Sequence, residues 1–312
     1  MSSLLSTRKA NSAFRALTVS PATSKDFSSN DFLSLSTSPI LRTAYLSELN
    51  SHPNFRLGSG GSRLLDGNSL YAESLENQIA EFHGAEAALL FNSGFDANEG
   101  FFACVPQNGD VIVYDAFIHA SVHEGMKLSR ARTKIMFAHN SVEDLKRVLS
   151  ELLRDEEVRK RERNVFVAVE SLYSMDGDLC PLREIVELVE RMLPRANGYI
   201  IVDEAHSNGI YGSHGRGIVC SLGLEDRVFA RLHTFGKAIG CNGGELLPYT
   251  WRLELTYRSR NLMLSAHKRI FDQLCTTPNL YDGNVLPISS CNKSRLRSYE
   301  EWNNRASPLP VP

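Results

Sequence analysis

The sequence has no run approaching the roughly 18 consecutive apolar residues that a helix needs to cross a bilayer, which excludes a helical membrane protein. It has no excess of one charge: 34 Lys and Arg oppose 36 Asp and Glu, for a formal net charge of −2. That balance offers no basic field for nucleic acid and no acidic solvating tail. Cysteine is sparse. Cys104, Cys180, Cys220, Cys241, Cys275 and Cys291 contain no CxxC pair, so neither a zinc site nor a disulfide framework is expected, and the thiols read as buried groups in a reducing compartment. A GxxxxGK[ST] loop is also missing. The letters DEAH at 203–206 therefore do not mark a helicase: Gly236-Lys237 is followed by Ala238 and has Arg231 where the first Gly would stand.

What is present suits a large buried core. Hydrophobic residues make up 42% of 312 residues at a mean hydropathy of −0.22. Residues 1–25 carry Arg8, Lys9, Arg15 and Lys25, many Ser and Thr, and no acid before Asp26. This stretch is either a mitochondrial transit peptide or, the reading preferred here, a mature helix followed by a loop through Pro21. Short apolar runs then alternate with amphipathic stretches. A helix is expected over 71–82, where Leu75, Ile79 and Phe82 share a face, and another over 141–159, started by Ser141 with Asp144 three residues on. Strands are expected at 87–91, 111–114, 165–169, 199–202 and 228–233. That alternation predicts an α/β fold with a mostly parallel sheet covered by helices on both faces. Ligands of such sheets bind beyond the carboxyl ends of the strands.

Three features fall at those ends. After the 87–91 strand, Ser93-Gly94-Phe95 turns into a helix whose first N–H groups form an anion site or, in the plainer reading, an ordinary turn. The 199–202 strand runs into Asp203, a carboxylate buried enough to need a cationic or donor partner. Lys237 follows the 228–233 strand among apolar and Gly neighbours, which makes it either a Schiff-base nucleophile or a solvated surface lysine. Together they match the three demands of pyridoxal 5′-phosphate (PLP): donors for the phosphate, an acid for the ring nitrogen and an amine for the aldehyde. His119 and His123, four apart, are compatible with a metal pair, but no fitting acidic third ligand is evident and no metal is expected.

The chain resembles the α-oxoamine synthase family of fold-type I PLP-dependent enzymes, which are class II aminotransferase-like, and within it the oxononanoate synthases. The matching stretches are DFSSNDFLSLS (26–36), GSGGSRLLDGNS (58–69), FNSGFDAN (91–98), DAFIHAS (115–121), SLYSMDGD (171–178), VDEAHSNGIYGSHGRG (202–217) and HTFGKAIGCNGG (233–244). The resemblance implies that Lys237 takes the cofactor's aldehyde, that Asp203 pairs with its ring nitrogen and that His119 stacks on the ring. Ser174 and His206 would contact the 3′-oxygen, and Gly94, Phe95 and Thr234 would hold the phosphate. Asn30 falls where the family binds an amino-acid carboxylate, and Arg15 where it contacts the acyl substrate. The implied reaction is decarboxylative condensation of an acyl-CoA, of pimeloyl type, with L-alanine in biotin synthesis, by a homodimer that binds neither nucleic acid nor membrane. Three alternatives stay open: a PLP aminotransferase, an oxoamine synthase of secondary metabolism, and an inactive PLP-binding remnant. The implied location is cytoplasmic, with mitochondrion and peroxisome unsupported by a clear signal.

The resemblance stops after Gly244. Residues 245–312 hold both Trp and half of the twelve Pro. The expected organisation is an N-terminal segment (1–45), a PLP-binding large domain (46–244) and an atypical tail (245–312) in place of a small domain, arising from an altered reading of the gene.

Overall fold

In the computed structural model the residues described are 2–248, other than 15, 16, 18, 20, 22 and 194–196. Arg15 lies outside the described residues, as does the expected tail from 249 onward. Two helices come first, α1 (Ser2–Ala10) and α2 (Pro39–Ser51). They are followed by α3 (Leu70–His83), β1 (Leu89–Phe91), α4 (Gly94–Cys104), β2 (Val111–Asp115), α5 (Ala120–Leu128) and β3 (Thr133–Phe137). Next come α6 (Val142–Leu152), α7 (Glu156–Lys160), β4 (Val165–Glu170) and α8 (Leu182–Met192). The described chain closes with β5 (Gly198–Asp203), α9 (Ile218–Leu222), β6 (Ala230–Thr234) and β7 (Gly244–Pro248).

The seven strands form one sheet in the order β1-β7-β6-β5-β4-β2-β3. Strands β3, β2, β4, β5 and β6 run parallel, and β7 enters antiparallel between β6 and β1. Being antiparallel to β7 on either side, β1 and β6 point the same way. The carboxyl ends of β1, β4, β5 and β6 therefore share one edge.

Side-chain alternation along each strand divides the core. Ile112, Phe166, Ala168, Tyr199, Ile201, Ala230 and Leu232 pack with Ala97 and Phe101 of α4 and Val122 and Met126 of α5. Val113, Val167, Val169, Ile200 and Val202 pack on the other face with Leu145 and Leu149 of α6, Ile185 and Leu188 of α8 and Val219 of α9. Glu170, Asp203 and Thr234 have the parity of the α4/α5 face, whereas Arg231 and His233 have the opposite parity. This decides which charged groups meet.

Several expectations shift. The 141–159 helix is two: Ser141 caps α6 by accepting from Asp144 N at 3.1 Å, but the helix ends at Leu152. Asp155 then opens α7 by accepting from Glu157 N. The last expected strand starts two residues later and ends one later, at Ala230–Thr234, and β3 and β7 are added. The expected large-domain limit at 244 falls on the first residue of β7, so the sheet extends four residues past it.

Candidate active site

The sheet edge gathers the three elements singled out in the sequence. Ser93 is extended (φ −157°) and caps α4, its hydroxyl accepting from Asp96 N at 3.0 Å. The amides of Gly94 and Phe95 precede that capped residue at the positive end of the helix. A Cβ on Gly94 would stand 2.8 Å from Thr234 Cβ and 3.1 Å from its hydroxyl. Only the missing side chain lets the Thr234 hydroxyl and the helix end approach one another, which sets that hydroxyl beside the first amides of α4.

Asp203 ends β5, 5% exposed. Its Oδ2 accepts from Asn98 Nδ2 at 2.7 Å and its Oδ1 from Ala205 N at 2.9 Å. Asn98 also donates to Ser121 Oγ at 2.9 Å, and Ser121 lies 2.7 Å from His119 Nδ1. One hydrogen-bonded chain thus links α4, β5 and the start of α5. Asn98 was not singled out in the sequence, yet it lies one helical turn after Gly94 on the same face. Glu170, paired in register with Asp203, is also unforeseen. Burial, and then the Asp203 charge, push its carboxyl up to about 9, so it is protonated at neutral pH.

Lys237 is half-buried with Nζ 2.7 Å from His206 Nε2. Burial pulls the lysine below its usual range, against the charges of Asp203 and Glu170. His206 is lowered to about 4 by burial and by the Lys237 charge, so its ring is neutral at pH 7. His119 is likewise lowered by burial, opposed by Asp203. It stands at the N-cap of α5, edge-on to Phe95 at 6.1 Å between ring centres. His123 is inside the helix and packs against Tyr114, so the two histidines have separate surroundings.

Other expected residues are placed less directly. Ser174 is exposed in the turn that follows β4. Asn30 is exposed too, but its segment reaches the site: the Leu35 and Ser36 backbone lies against Gly240, three residues past Lys237. Arg63 braces its own chain. It pairs with Glu76 and bonds Asn68 Oδ1 at 3.0 Å, while Glu76 accepts from Leu90 N.

Among the described residues one group offers metal-type ligand atoms close together: His83, His233 and Glu245, all buried. Glu245 Oε1 accepts from His233 Nδ1 at 2.9 Å and lies 3.4 Å from His83 Nε2, and Glu204 faces His233 Nε2 at 3.3 Å. Burial opposes a charged His233, but the two carboxylates hold its pKa above the usual value. Burial drives His83 down to about 2. A charged His233 with buried Arg231 then balances Glu204 and Glu245, and a divalent cation would upset that neutrality. The cluster is a buried ionic network.

Comparison with known proteins accords with this geometry. The aminotransferase class I and II family matches residues 24–251. The chain belongs to that family. An 8-amino-7-oxononanoate synthase of Emericella nidulans is 57% identical over 75% of this chain and 57% of its own length. The aminoacyl transferase sphA of Byssochlamys spectabilis is 46% identical over 71% of this chain and 47% of its own. The chain thus spans about half the length of the curated relatives it matches. Among solved structures, a serine palmitoyltransferase variant from S. paucimobilis with bound PLP–myriocin superposes with a TM-score of 0.63 at 28% identity, covering 77% of this chain and 62% of that one. The fold-type I large domain expected from sequence is the fold found. No described helix is long and apolar enough to cross a membrane.

Proposed function

We propose that this chain binds PLP and belongs to an acyltransferase that condenses an acyl thioester with an amino acid, with loss of carbon dioxide and free thiol, to give an α-aminoketone. The observation carrying this reading is the meeting of Lys237, Asp203 and the amino end of α4 at one sheet edge, tied through Asn98. The residues fit the cofactor by their donor set. The Gly94 cradle suits a phosphate, Asp203 suits a protonated ring nitrogen, and Lys237 is the amine for the aldehyde.

PLP, when bound, supplies a protonated ring that accepts the electron pair left at the amino acid's Cα. The protein residues handle position and protons. Asp203, aligned by Asn98 and Ala205 N, keeps the nitrogen proton in place. Lys237, its pKa lowered by burial, would take the Cα proton on Nζ. Neutral His206, 2.7 Å away, accepts a hydrogen bond from that ammonium and holds its direction. His119, fixed by Ser121, would close one face of the ring site, Ser174 would contact the cofactor's 3′-oxygen and Asn30 the amino-acid carboxylate.

Within this class the 57% relative favours L-alanine and a pimeloyl thioester, hence biotin synthesis. The serine palmitoyltransferase likeness favours a longer acyl chain and serine. We further propose a homodimer, supported by α2, none of whose residues is buried and which exposes Ile40, Leu41, Tyr45 and Leu46. The cofactor assignment is tested by incubating the full chain with PLP, reducing with borohydride and mapping peptides by mass. A pyridoxyl increment on the Lys237 peptide, lost in Lys237→Ala, is expected; incorporation elsewhere or nowhere defeats it. Thiol release from pimeloyl-CoA with alanine, set against palmitoyl-CoA with serine, then chooses the substrates.

A further inference from the structure

We propose that His139, outside every motif singled out in the sequence, is the positioning residue of this site. In this reading it is a charged clamp that fixes the loop carrying His119 against the loop carrying Ser174. The inference rests on the site being a PLP site. His139 lies two residues past the end of β3. Its Nδ1 is 2.8 Å from Asp115 Oδ1 and its Nε2 is 2.8 Å from Asp178 Oδ2. A carboxylate only accepts, so both contacts are made together only when each ring nitrogen carries a proton, which is the imidazolium.

The two anchors belong to the two loops. Asp115 is the last residue of β2, fully buried, four residues before His119; it also accepts from Phe117 N and Asn140 N, each at 2.8 Å. Asp178 is four residues after Ser174 and also accepts from Asn140 Nδ2 at 2.7 Å. The turn it closes is held by Tyr173 N donating to the Asp178 carbonyl at 3.0 Å and by a bridge between Leu172 and Leu179. The His139 ring fills the gap. Phe117 stacks on it at 4.2 Å, and Tyr173 meets it edge-on at 4.5 Å. Those two aromatics sit two residues before His119 and one before Ser174.

The ionisable groups facing His139 are therefore Asp115, from β2, and Asp178 and Tyr173, from the loop after β4. Tyr173 turns its hydroxyl towards Glu170 N at 3.2 Å. Burial opposes the charged ring, and the two carboxylates outweigh it and hold its pKa above 6.5. A raised histidine contributes its stabilisation fully below 6.5 and loses it as pH rises through the folded value. Above that value one of the two contacts goes, and the loops lose their fixed separation.

The test is the PLP dissociation constant of the full chain, by equilibrium dialysis from pH 6 to pH 9, for wild type and His139→Gln. Glutamine cannot donate in both directions. The expected ratio of variant to wild-type constants is about tenfold at pH 6, the lower end of what losing an outer partner costs a site. It declines towards one as wild-type His139 loses its proton. A ratio that stays near one, or a loss that does not change with pH, overturns the clamp. Should His139→Gln lack the wild-type circular dichroism spectrum, Asp178→Ala cuts one arm at a partly exposed position and must show the same declining ratio. Wild type that fails to bind PLP at any pH defeats the cofactor reading itself, which separates the two failures.

Discussion

Replacing Glu204 tests whether the buried charges behind the site hold it in place. Glu204 is fully buried. Its Oε1 accepts from Ile218 N at 2.7 Å, Val219 N at 3.0 Å and Ser207 Oγ at 2.9 Å, and its Oε2 faces His233 Nε2 at 3.3 Å. Glu204→Ala leaves two backbone amides at the start of α9 without an acceptor and His233 with Glu245 alone. Removing one member of a buried ion pair costs about 3–5 kcal/mol. For a domain of this size that is a Tm drop of roughly 6–20 °C. Glu204→Gln keeps an accepting oxygen for the amides and loses only the charge towards His233, so its cost is about 1–3 kcal/mol. Thermal melts followed by circular dichroism read both. The pH dependence carries a sign. Burial pushes the Glu204 carboxyl up, but His233 and the Val219 amide hold it below its ordinary 4.5, so its contribution is present above 4.5 and lost as pH falls through the lower folded value. His233 is held above 6.5, so its contribution is present below 6.5 and lost as pH rises through the folded value. The gap between wild type and Glu204→Ala is therefore widest from about pH 4.5 to 6.5. A gap under about 1 kcal/mol, or one equal to that of Glu204→Gln, refutes the reasoning.

Two further substitutions address the site directly. Asn98→Ala removes the donor 2.7 Å from Asp203 Oδ2, a charge-assisted bond of about 1.5–3 kcal/mol, and is expected to weaken PLP binding about tenfold and to lower the melt by roughly 3–12 °C; dialysis at pH 7 showing wild-type affinity would contradict it. Gly94→Val drives a Cβ to 2.8 Å from Thr234 Cβ; it should cost about 1–3 kcal/mol of stability and abolish borohydride-trapped PLP, and normal incorporation would remove the phosphate cradle from the argument.

Much of the architecture was legible because it rests on local rules. The Val165–Glu170 and Gly198–Asp203 strands are buried on both faces and read as continuous β-branched runs. Ser141 announced a helix start that the structure uses. The added strands had no such signature. Thr133–Phe137 is an edge strand with only Phe137 buried, so its letters TKIMF open on two polar residues and do not read as a continuous apolar strand. Gly244–Pro248 carries a glycine, a buried charge and a proline, each of which argues against a central strand. It is tolerated because Glu245 finds His233 across the β6–β7 register and Pro248 is its last residue. Lys237, Asp203 and Gly94 could be singled out because their chemistry is tied to strand ends. Asn98, Glu170 and His139 could not, because each matters through a partner distant in the chain, such as Asp203 for Asn98 or Asp178 for His139.

The adjacent acids at the end of β5 show how one strand serves both the site and the core. Asp203 has the parity of Tyr199 and Ile201, so it meets α4 and its Asn98 on the ligand-facing side. Glu204 follows the strand and turns the other way, to the amino end of α9 and to His233. Thr234 and His233 repeat the division on β6: one borders the anion cradle, and the other joins the buried network. A substitution at Glu204 or His233 therefore acts on Asp203 and Thr234 through the backbone that joins each pair, without touching a ligand. It should reduce cofactor affinity and stability together, losing about 3–5 kcal/mol in the melt against about 1.5–3 kcal/mol for Asn98→Ala. If the two kinds of substitution proved indistinguishable in a melt, the two faces of the sheet would not be the separate systems that their hydrogen bonds describe.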